Sequence, residues 1–583
     1  MTSIPRLHAV SQDYRLSRRF FARLWRLTRP YWADRHSRKS WFLMGLTLLL
    51  VPTASQVYLW ATRCTGDMTN ALVAKDQAAY TPLFWKTTLL LLCWGLISVV
   101  LQVLSARINV DWRRWLTDYL IRRYLDSRTY YDITLREDLD NPDQRIQEQV
   151  MPFVAAMSDT PRQLIGQVAQ LMTGGFIVAS VSSSLAVAVV IYALVQTIVM
   201  LLMYTPLIRL QFDSTIAEAD LRRGLLHVRE QAETVAFYRG EETEYDQLRH
   251  RLGHAVQRQW SALRYQGWTS AAGELTTAIW NITPFFLIAP LFFQGKIDYG
   301  AIAMATASAA VMMRALTTLS AFVPTLTAMA PGAVRLAQIL ERFDAVEASQ
   351  PTGGNRLVCR DGERVVFESV DLYTPGGERQ LTRGIDLTVA PGQRLIIVGP
   401  TGIGKSSVLR AMAGLWQRGS GVVTMPAPQQ CLFLPQRPYM MLADLRSQLL
   451  YPRAPAGLDD EYLLQALRLV QLPELADRHG GLSAVRDWAK VLSLGEQQRI
   501  GFARALISEV KYVFLDEATS AVDVTTEKIL YQLLQKAGLT YISVGHRPTL
   551  MAYHDIALVL EEDGCGFTVT TRALAAHLSR QSN

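Results

Sequence analysis

The stretch Gly399-Pro400-Thr401-Gly402-Ile403-Gly404-Lys405-Ser406-Ser407 brings together the groups needed to hold a polyphosphate. Gly399, Gly402 and Gly404 let the backbone turn so that successive N–H groups face one point. Lys405 supplies a cation, and Ser406 offers a hydroxyl to a hard divalent ion. Farther along, Asp516 and Glu517 stand together at the end of an expected buried strand, Lys511–Leu515. Two carboxylates beside such a loop can divide the work. Asp516 would hold Mg²⁺ and Glu517 would orient or deprotonate the attacking water.

These side chains need particular elements to position them. Arg394–Val398 reads as a continuous, largely apolar strand, as expected of a parallel strand covered on both faces. Apolar residues resume at Val408, Leu409 and Met412 with helical spacing, so a helix N-terminus also points at the phosphates. Strand, glycine loop and helix in that order specify a P-loop nucleotide site, with ATP and Mg²⁺ as expected ligands.

The neighbouring motifs narrow the class. Leu492–Arg499 reads LSLGEQQR and resembles the signature of ABC ATPases, with Leu494 and Glu496 in place of the commoner glycine and glutamine. Phe433–Gln436 resembles the Q-loop, Ser520–Asp523 the D-loop and Ser543–Arg547 the switch loop. The resemblance implies catalytic roles for Glu517, Gln436 and His546, with Gln436 also touching Mg²⁺ or water and His546 reaching the γ-phosphate. It implies that Ser493, Gly495, Glu496 and Asp523 contribute to ATP binding, with Ser493 and Gly495 completing the site of a second copy. One ATPase domain per chain then implies a homodimer with two hydrolytic sites. Tyr373 is the candidate adenine platform. The usual place for that aromatic falls on Thr374, and a one-residue shift reverses a strand side chain's face, so packing is the other reading for Tyr373.

The rest of the chain follows different rules. Of 583 residues, 50% are apolar and only 19% charged, with a formal net charge of +8; mean hydropathy is +0.11. That composition suits a chain that keeps much of its surface in lipid. Apolar runs over residues 41–62, 85–106, 163–183, 185–206, 271–294 and 300–325 are each near the roughly 20 residues needed to span the hydrocarbon core. The third and fourth form a tight hairpin around Ser182–Ser184. Arginines crowd residues 107–161 and 209–264, whereas residues 64–82 and 294–300 carry few positive charges. The positive-inside rule therefore puts both termini and both long loops in the cytoplasm. Charge located at the membrane argues against a nucleic-acid partner. The basic, aromatic first thirty residues read as a helix lying on the bilayer, with no secretory leader expected. Cys64, Cys93, Cys359, Cys431 and Cys565 form no CxxC pair, so neither disulfides nor structural zinc is expected.

The expected architecture is a helical six-span membrane domain of the type IV, exporter-like ABC fold followed by an α/β ATPase domain. Residues 1–40 form an elbow, 41–335 the membrane domain, 336–360 a linker and 361–583 the nucleotide domain. QAETVAFYRGEETE (Gln231–Glu244), DNPDQRIQE (Asp140–Glu148) and WRRWLTDYL (Trp112–Leu120) resemble peroxisomal-type, subfamily D ABC transporters and their BacA-like and vitamin-B12-or-peptide transporter relatives. GLWQRGSG (Gly414–Gly421) and FLPQRPYM (Phe433–Met440) agree. The resemblance implies an ATP-driven transporter of a bulky polar or amphipathic solute, a corrinoid or peptide, in a bacterial inner membrane. An acyl-CoA transporter and an ATP-gated channel or regulator without pumped cargo are the alternatives. Glu233, Tyr238, Gly240 and Glu241 are candidate coupling contacts. Arg314 and Glu274 are candidates for the translocation path or for structural pairing, because a charge within a span needs water or a partner.

Overall fold

The computed structural model describes residues 18–136, 142–348, 357–374, 379–400, 402–416, 418–453, 457–560 and 567–571. The chain divides into two compact units that meet between Ser349 and Gln350.

The first unit is helical. Its main elements are α1 (Arg18–Ala33), α2 (Arg38–Val73), α3 (Gln77–Leu125), α4 (Pro142–Val181), α5 (Ser183–Glu230), α6 (Ala232–Tyr238), α7 (Glu241–Phe293) and α8 (Tyr299–Ala348). Among the described residues six helices are long and apolar enough to cross a membrane, and the six expected spans fall on them. Five of the six run to 40 residues or more, so the arginine-rich stretches are largely helical continuations of the spans. The α4–α5 hairpin turns on Ser182 alone. Its backbone is extended (φ −155°, ψ 116°) and its hydroxyl accepts from Leu185 N–H. The third span therefore ends at Val181, two residues earlier than the apolar run.

Side-chain chemistry separates lipid from protein. The exposed positions of α3 include Leu89, Leu92, Leu96, Val99 and Val103, which suits acyl chains. Helix α8 packs on α4, α2 and α5, and α5 pairs with α7. The α2–α8 crossing is close at Gly66 and Gly300. A Cβ on Gly300 would lie 2.2 Å from Gly66 O, and Gly300 N–H donates to Asn70 Oδ1 at 2.7 Å. Only a residue without a side chain fits there.

Two expectations change. The N-terminal amphipathic helix does not turn its apolar stripe to lipid. Phe20, Leu24, Leu27 and Tyr31 are buried in one cluster with Trp112, Leu116, Ala337, Leu340 and Phe343. Arg23 donates to Glu341 at 2.9 Å, and Arg26 pairs with Asp344. Carboxylates of α8 thus take the role assigned to anionic headgroups, while Phe21 and Trp25 remain exposed. The second change concerns residues 336–348, assigned from sequence to the linker. They are the last turns of α8, and Leu336, Ala337, Ile339, Leu340 and Phe343 are buried. A face that packs α1 belongs to the membrane unit.

The second unit contains β1 (Val358–Gly362), β2 (Val365–Tyr373), β3 (Gln380–Val389), β4 (Arg394–Val398), β5 (Gly419–Pro426), β6 (Cys431–Leu434), β7 (Tyr512–Asp516), β8 (Thr540–Val544), β9 (Ile556–Leu560) and β10 (Phe567–Thr571). One sheet has the order β1-β5-β2-β3 and the other β10-β9-β4-β8-β7-β6. In the latter β4 pairs in parallel with β8 and β9, and β7 with β6 and β8. Three helices bear on the site: α9 (Lys405–Met412), α10 (Leu494–Ile507) and α11 (Val524–Lys536). Leu395, Ile396 and Ile397 are all buried, as a strand covered on both faces requires.

Candidate nucleotide site

Parallel register brings the C-terminal ends of β4, β6, β7 and β8 to one edge, where ligands of open α/β sheets bind. Leu434 sits opposite Leu515, and Asp516 opposite Val544. Gln436, Asp516–Glu517 and His546 follow immediately on three neighbouring strands, and the loop after β4 joins them.

That loop needs its glycines. Gly399, Gly402 and Gly404 have φ of 149°, 83° and 109°. A Cβ on Gly399 would lie 2.7 Å from Leu560 O. Gly404 is the N-cap of α9, the helix that begins at Lys405. Lys405 Nζ donates to Gly399 O and Pro400 O, each at 2.7 Å, which holds the ammonium over the loop. Burial lowers the Lys405 pKa, although Glu517 and Asp516 act against that shift. Ile403 and Ser407 are buried beneath the loop. Thr401 lies outside the described residues.

Ser406 Oγ donates to Asp516 Oδ1 at 3.1 Å. Burial raises the Asp516 pKa, with Glu517 adding to it and the Ser406 hydroxyl opposing it. A hydroxyl next to a desolvated carboxylate matches the hard oxygen ligands Mg²⁺ prefers. Turned backbone amides, a held ammonium and a helix N-terminus match a polyphosphate. The residues fit both groups.

Glu517 is the meeting point of the site. Its Oε2 accepts from Gln436 Nε2 at 2.9 Å, and its Oε1 lies 2.8 Å from His546 Nε2. Its φ is 47°, an uncommon conformation for a residue with a side chain, and its N–H donates to Val544 O at 3.0 Å. Strain of this kind persists where surrounding bonds over-determine it. Lys405, Ser406, Gln436, Asp516, Glu517 and His546 therefore form one cluster.

Other expected residues stand apart from it. Ser493 caps α10 and Glu496 completes a reciprocal capping box. Glu496 Oε2 accepts from Ser493 N–H and from its hydroxyl, both at 2.9 Å, and Arg478 donates to Glu496 Oε1 at 2.5 Å. Gly495 lies against the D-loop, where a Cβ would meet Ala521 O at 2.7 Å. The Asp523 carboxylate caps α11 through the N–H groups of Thr525 and Thr526 and the Thr526 hydroxyl. The Tyr373 carbonyl accepts from Trp416 Nε1 at 2.9 Å, and its side chain is half-buried at the end of β2. In the membrane unit Arg314, Glu274, Glu233, Tyr238 and Glu241 are exposed. Gly240 is half-buried and follows Arg239, whose left-handed φ of 51° ends α6.

Sequence reading missed the residues behind the site. Gln498 is buried and donates to Gln436 O and Ser520 Oγ, while its Oε1 accepts from Ala521 N–H. It therefore ties the Q-loop to the D-loop. Glu527 is fully buried and accepts from Thr519, Thr549 and Arg547. Arg547 also donates to Val522 O and Ser520 O. A second buried polar chain runs from Tyr531 through Ser543 to His554. A Gln within the signature and an Arg directly after the switch histidine were the available signals.

Comparison with known proteins agrees with both units. Residues 27–293 match the family model described as ABC transporter transmembrane region 2, and residues 382–520 match the ABC transporter model. An uncharacterised ABC transporter ATP-binding protein of Synechocystis is 37% identical over 90% of this chain and 81% of its own. The lysosomal cobalamin transporter ABCD4 of Homo sapiens is 30% identical over 93% and 94%. The chloroplastic ABC transporter D family member 2 of Arabidopsis thaliana is 29% identical over 91% and 85%. With one membrane region and one ATP-hydrolysing domain, the chain belongs to the ABC transporter family as a half-transporter of subfamily D that couples ATP hydrolysis to transport.

Proposed function

We propose that two copies of this chain form one transporter with two composite ATP sites, and that it moves a corrinoid or similarly bulky polar solute across a bacterial inner membrane. The observation that carries the dimer is the separation of the site into two patches. The phosphate loop, Asp516, Glu517, Gln436 and His546 share one set of contacts, while the bonds of Ser493 and Glu496 run to each other and to Arg478. The exposed Ser493 is then free to meet the nucleotide of a second copy.

In this reading Gly399–Ser407, with Lys405, hold the phosphates, and Ser406, Asp516 and Gln436 hold Mg²⁺, which neutralises phosphate charge. Glu517 orients and deprotonates water, His546 steadies the γ-phosphate, and Tyr373 stacks on adenine. Asp523 positions the D-loop at the dimer seam. Glu233, Tyr238, Gly240 and Glu241 around α6 transmit closure to the helices. Their placement in an arginine-rich segment supports cytoplasmic loops and termini.

The solute side rests on α8. Between Ala303 and Thr318 its more open face carries Ala303, Thr306, Ala307, Ala310, Arg314, Thr317 and Thr318, in contrast to the large apolar side chains that α3 turns outward. Small and hydroxyl groups around one arginine suit a hydrated path better than lipid. Glu274 is the second charge assigned to that path. The relative named as a lysosomal cobalamin transporter favours a corrinoid as cargo. Reconstituted protein should show ATPase activity raised about two- to fivefold by corrinoids, the usual sign that cargo favours the closing state, and less by peptides or acyl-CoAs. Stimulation by acyl-CoAs alone, or a flat response, would remove the corrinoid assignment.

A further inference from the structure

We propose that Arg478 is a positioning residue for ATP hydrolysis, which cancels the charge of Glu496 so that Ser493 can meet the triphosphate of a second copy; this rests on the composite-site reading above. The difficulty it resolves is electrostatic. The signature helix α10 begins with a serine expected to face phosphate, yet a carboxylate occupies the third helical position. Glu496 is mostly buried (15% exposed) and its Oε2 is bonded to the Ser493 N–H and hydroxyl. A fixed negative charge 2.9 Å from the recognising hydroxyl would repel an incoming polyphosphate.

Arg478 supplies the compensation. It follows the exposed Asp477 and precedes the half-buried His479 and the glycine turn at Gly480–Gly481. Its guanidinium donates to Glu496 Oε1 at 2.5 Å, on the oxygen that Ser493 does not use. The carboxylate thus divides its oxygens, one for the capping box and one for the arginine. Burial works to raise the Glu496 pKa, but Arg478 and the Ser493 donors outweigh it, and the group stays ionised. Arg499 also senses Glu496 and Asp523, but its Nε and Nη1 donate to Gly495 O and Gln471 O. The Arg478 side chain is half-exposed (53%), so its remaining N–H groups stay accessible beside Ser493.

The charge argument predicts a specific double-variant result in the full-length, reconstituted protein. Arg478→Gln should raise KM for ATP about three- to tenfold, as expected for loss of one partly exposed charge-assisted contact, with kcat changed less than KM. Glu496→Gln in the Arg478→Gln background should reverse part of that KM increase, because no uncompensated carboxylate remains. Arg478→Lys should stay near wild type. An unchanged KM in Arg478→Gln, or a double variant as poor as the single one, would overturn the proposal, since a merely structural arginine is not rescued by neutralising its partner. Ser493→Arg separates the two levels of inference. If it abolishes hydrolysis while Arg478→Gln is silent, only the Arg478 role fails. If Ser493→Arg leaves hydrolysis intact, the composite site itself fails.

Discussion

Glu517→Gln protein is expected to hydrolyse ATP about 10²- to 10⁴-fold more slowly than wild type, the range for loss of a positioned general base, while still binding ATP. The substitution is nearly isosteric, so it asks nothing new of the left-handed backbone at φ 47°. Gln436 can still donate to the retained amide oxygen, which keeps the 2.9 Å contact. What disappears is the basic oxygen and its charge. Asp516 also loses a neighbour that raises its pKa, so metal and nucleotide binding should hold or strengthen. Steady-state hydrolysis together with equilibrium ATP binding checks both halves. Wild-type turnover in this variant would remove Glu517 from the chemistry.

Glu527→Ala is expected to give the largest loss of stability. The carboxylate is fully buried and joins Thr519, Thr549 and Arg547. Its removal leaves the Arg547 charge and two hydroxyls without their acceptor. Glu527 is fully buried, but Arg547 is 37% exposed, so water screens the charge left behind and the loss comes mainly from the hydroxyls that lose their acceptor, about 1–3 kcal/mol. For a unit of this size that corresponds to a fall of roughly 5 °C in the unfolding temperature of the full-length protein. Glu527→Gln, which keeps shape and an acceptor oxygen, should lose less. Hydrolysis should fall with Glu527→Ala even below that temperature. Arg547 stands next to His546 and holds Ser520 and Val522, so the switch and D-loops loosen together. Unchanged unfolding in the alanine variant would show that the network does not hold these loops.

Local features were legible in the sequence, and long-range ones were not. The loop after β4 could be read because three closely spaced glycines, Lys405 and Ser406 dictate their own geometry. Asp516–Glu517 could be read because a buried strand must deliver its last residues to one edge. The spans could be read because crossing hydrocarbon demands length and apolarity. By contrast, the 28 positions between Gln498 and Glu527 give no periodic sign that both brace the D-loop. The docking of α1 was hidden for a related reason. An amphipathic face states that it will be covered, and whether lipid or Glu341 and Asp344 cover it depends on residues more than three hundred positions away. Tyr373 marks the limit, since a shift of one residue on β2 decides its face.

The central claim is that ATP hydrolysis at paired sites drives solute movement against a gradient. It is tested most directly in sealed vesicles containing the reconstituted chain, with ATP on the side of the nucleotide domains and a corrinoid on both sides at equal concentration. The account predicts a sustained concentration difference with wild-type protein and none with Glu517→Gln. Equal concentrations with both proteins, or an equal difference with the hydrolysis-deficient one, would contradict it.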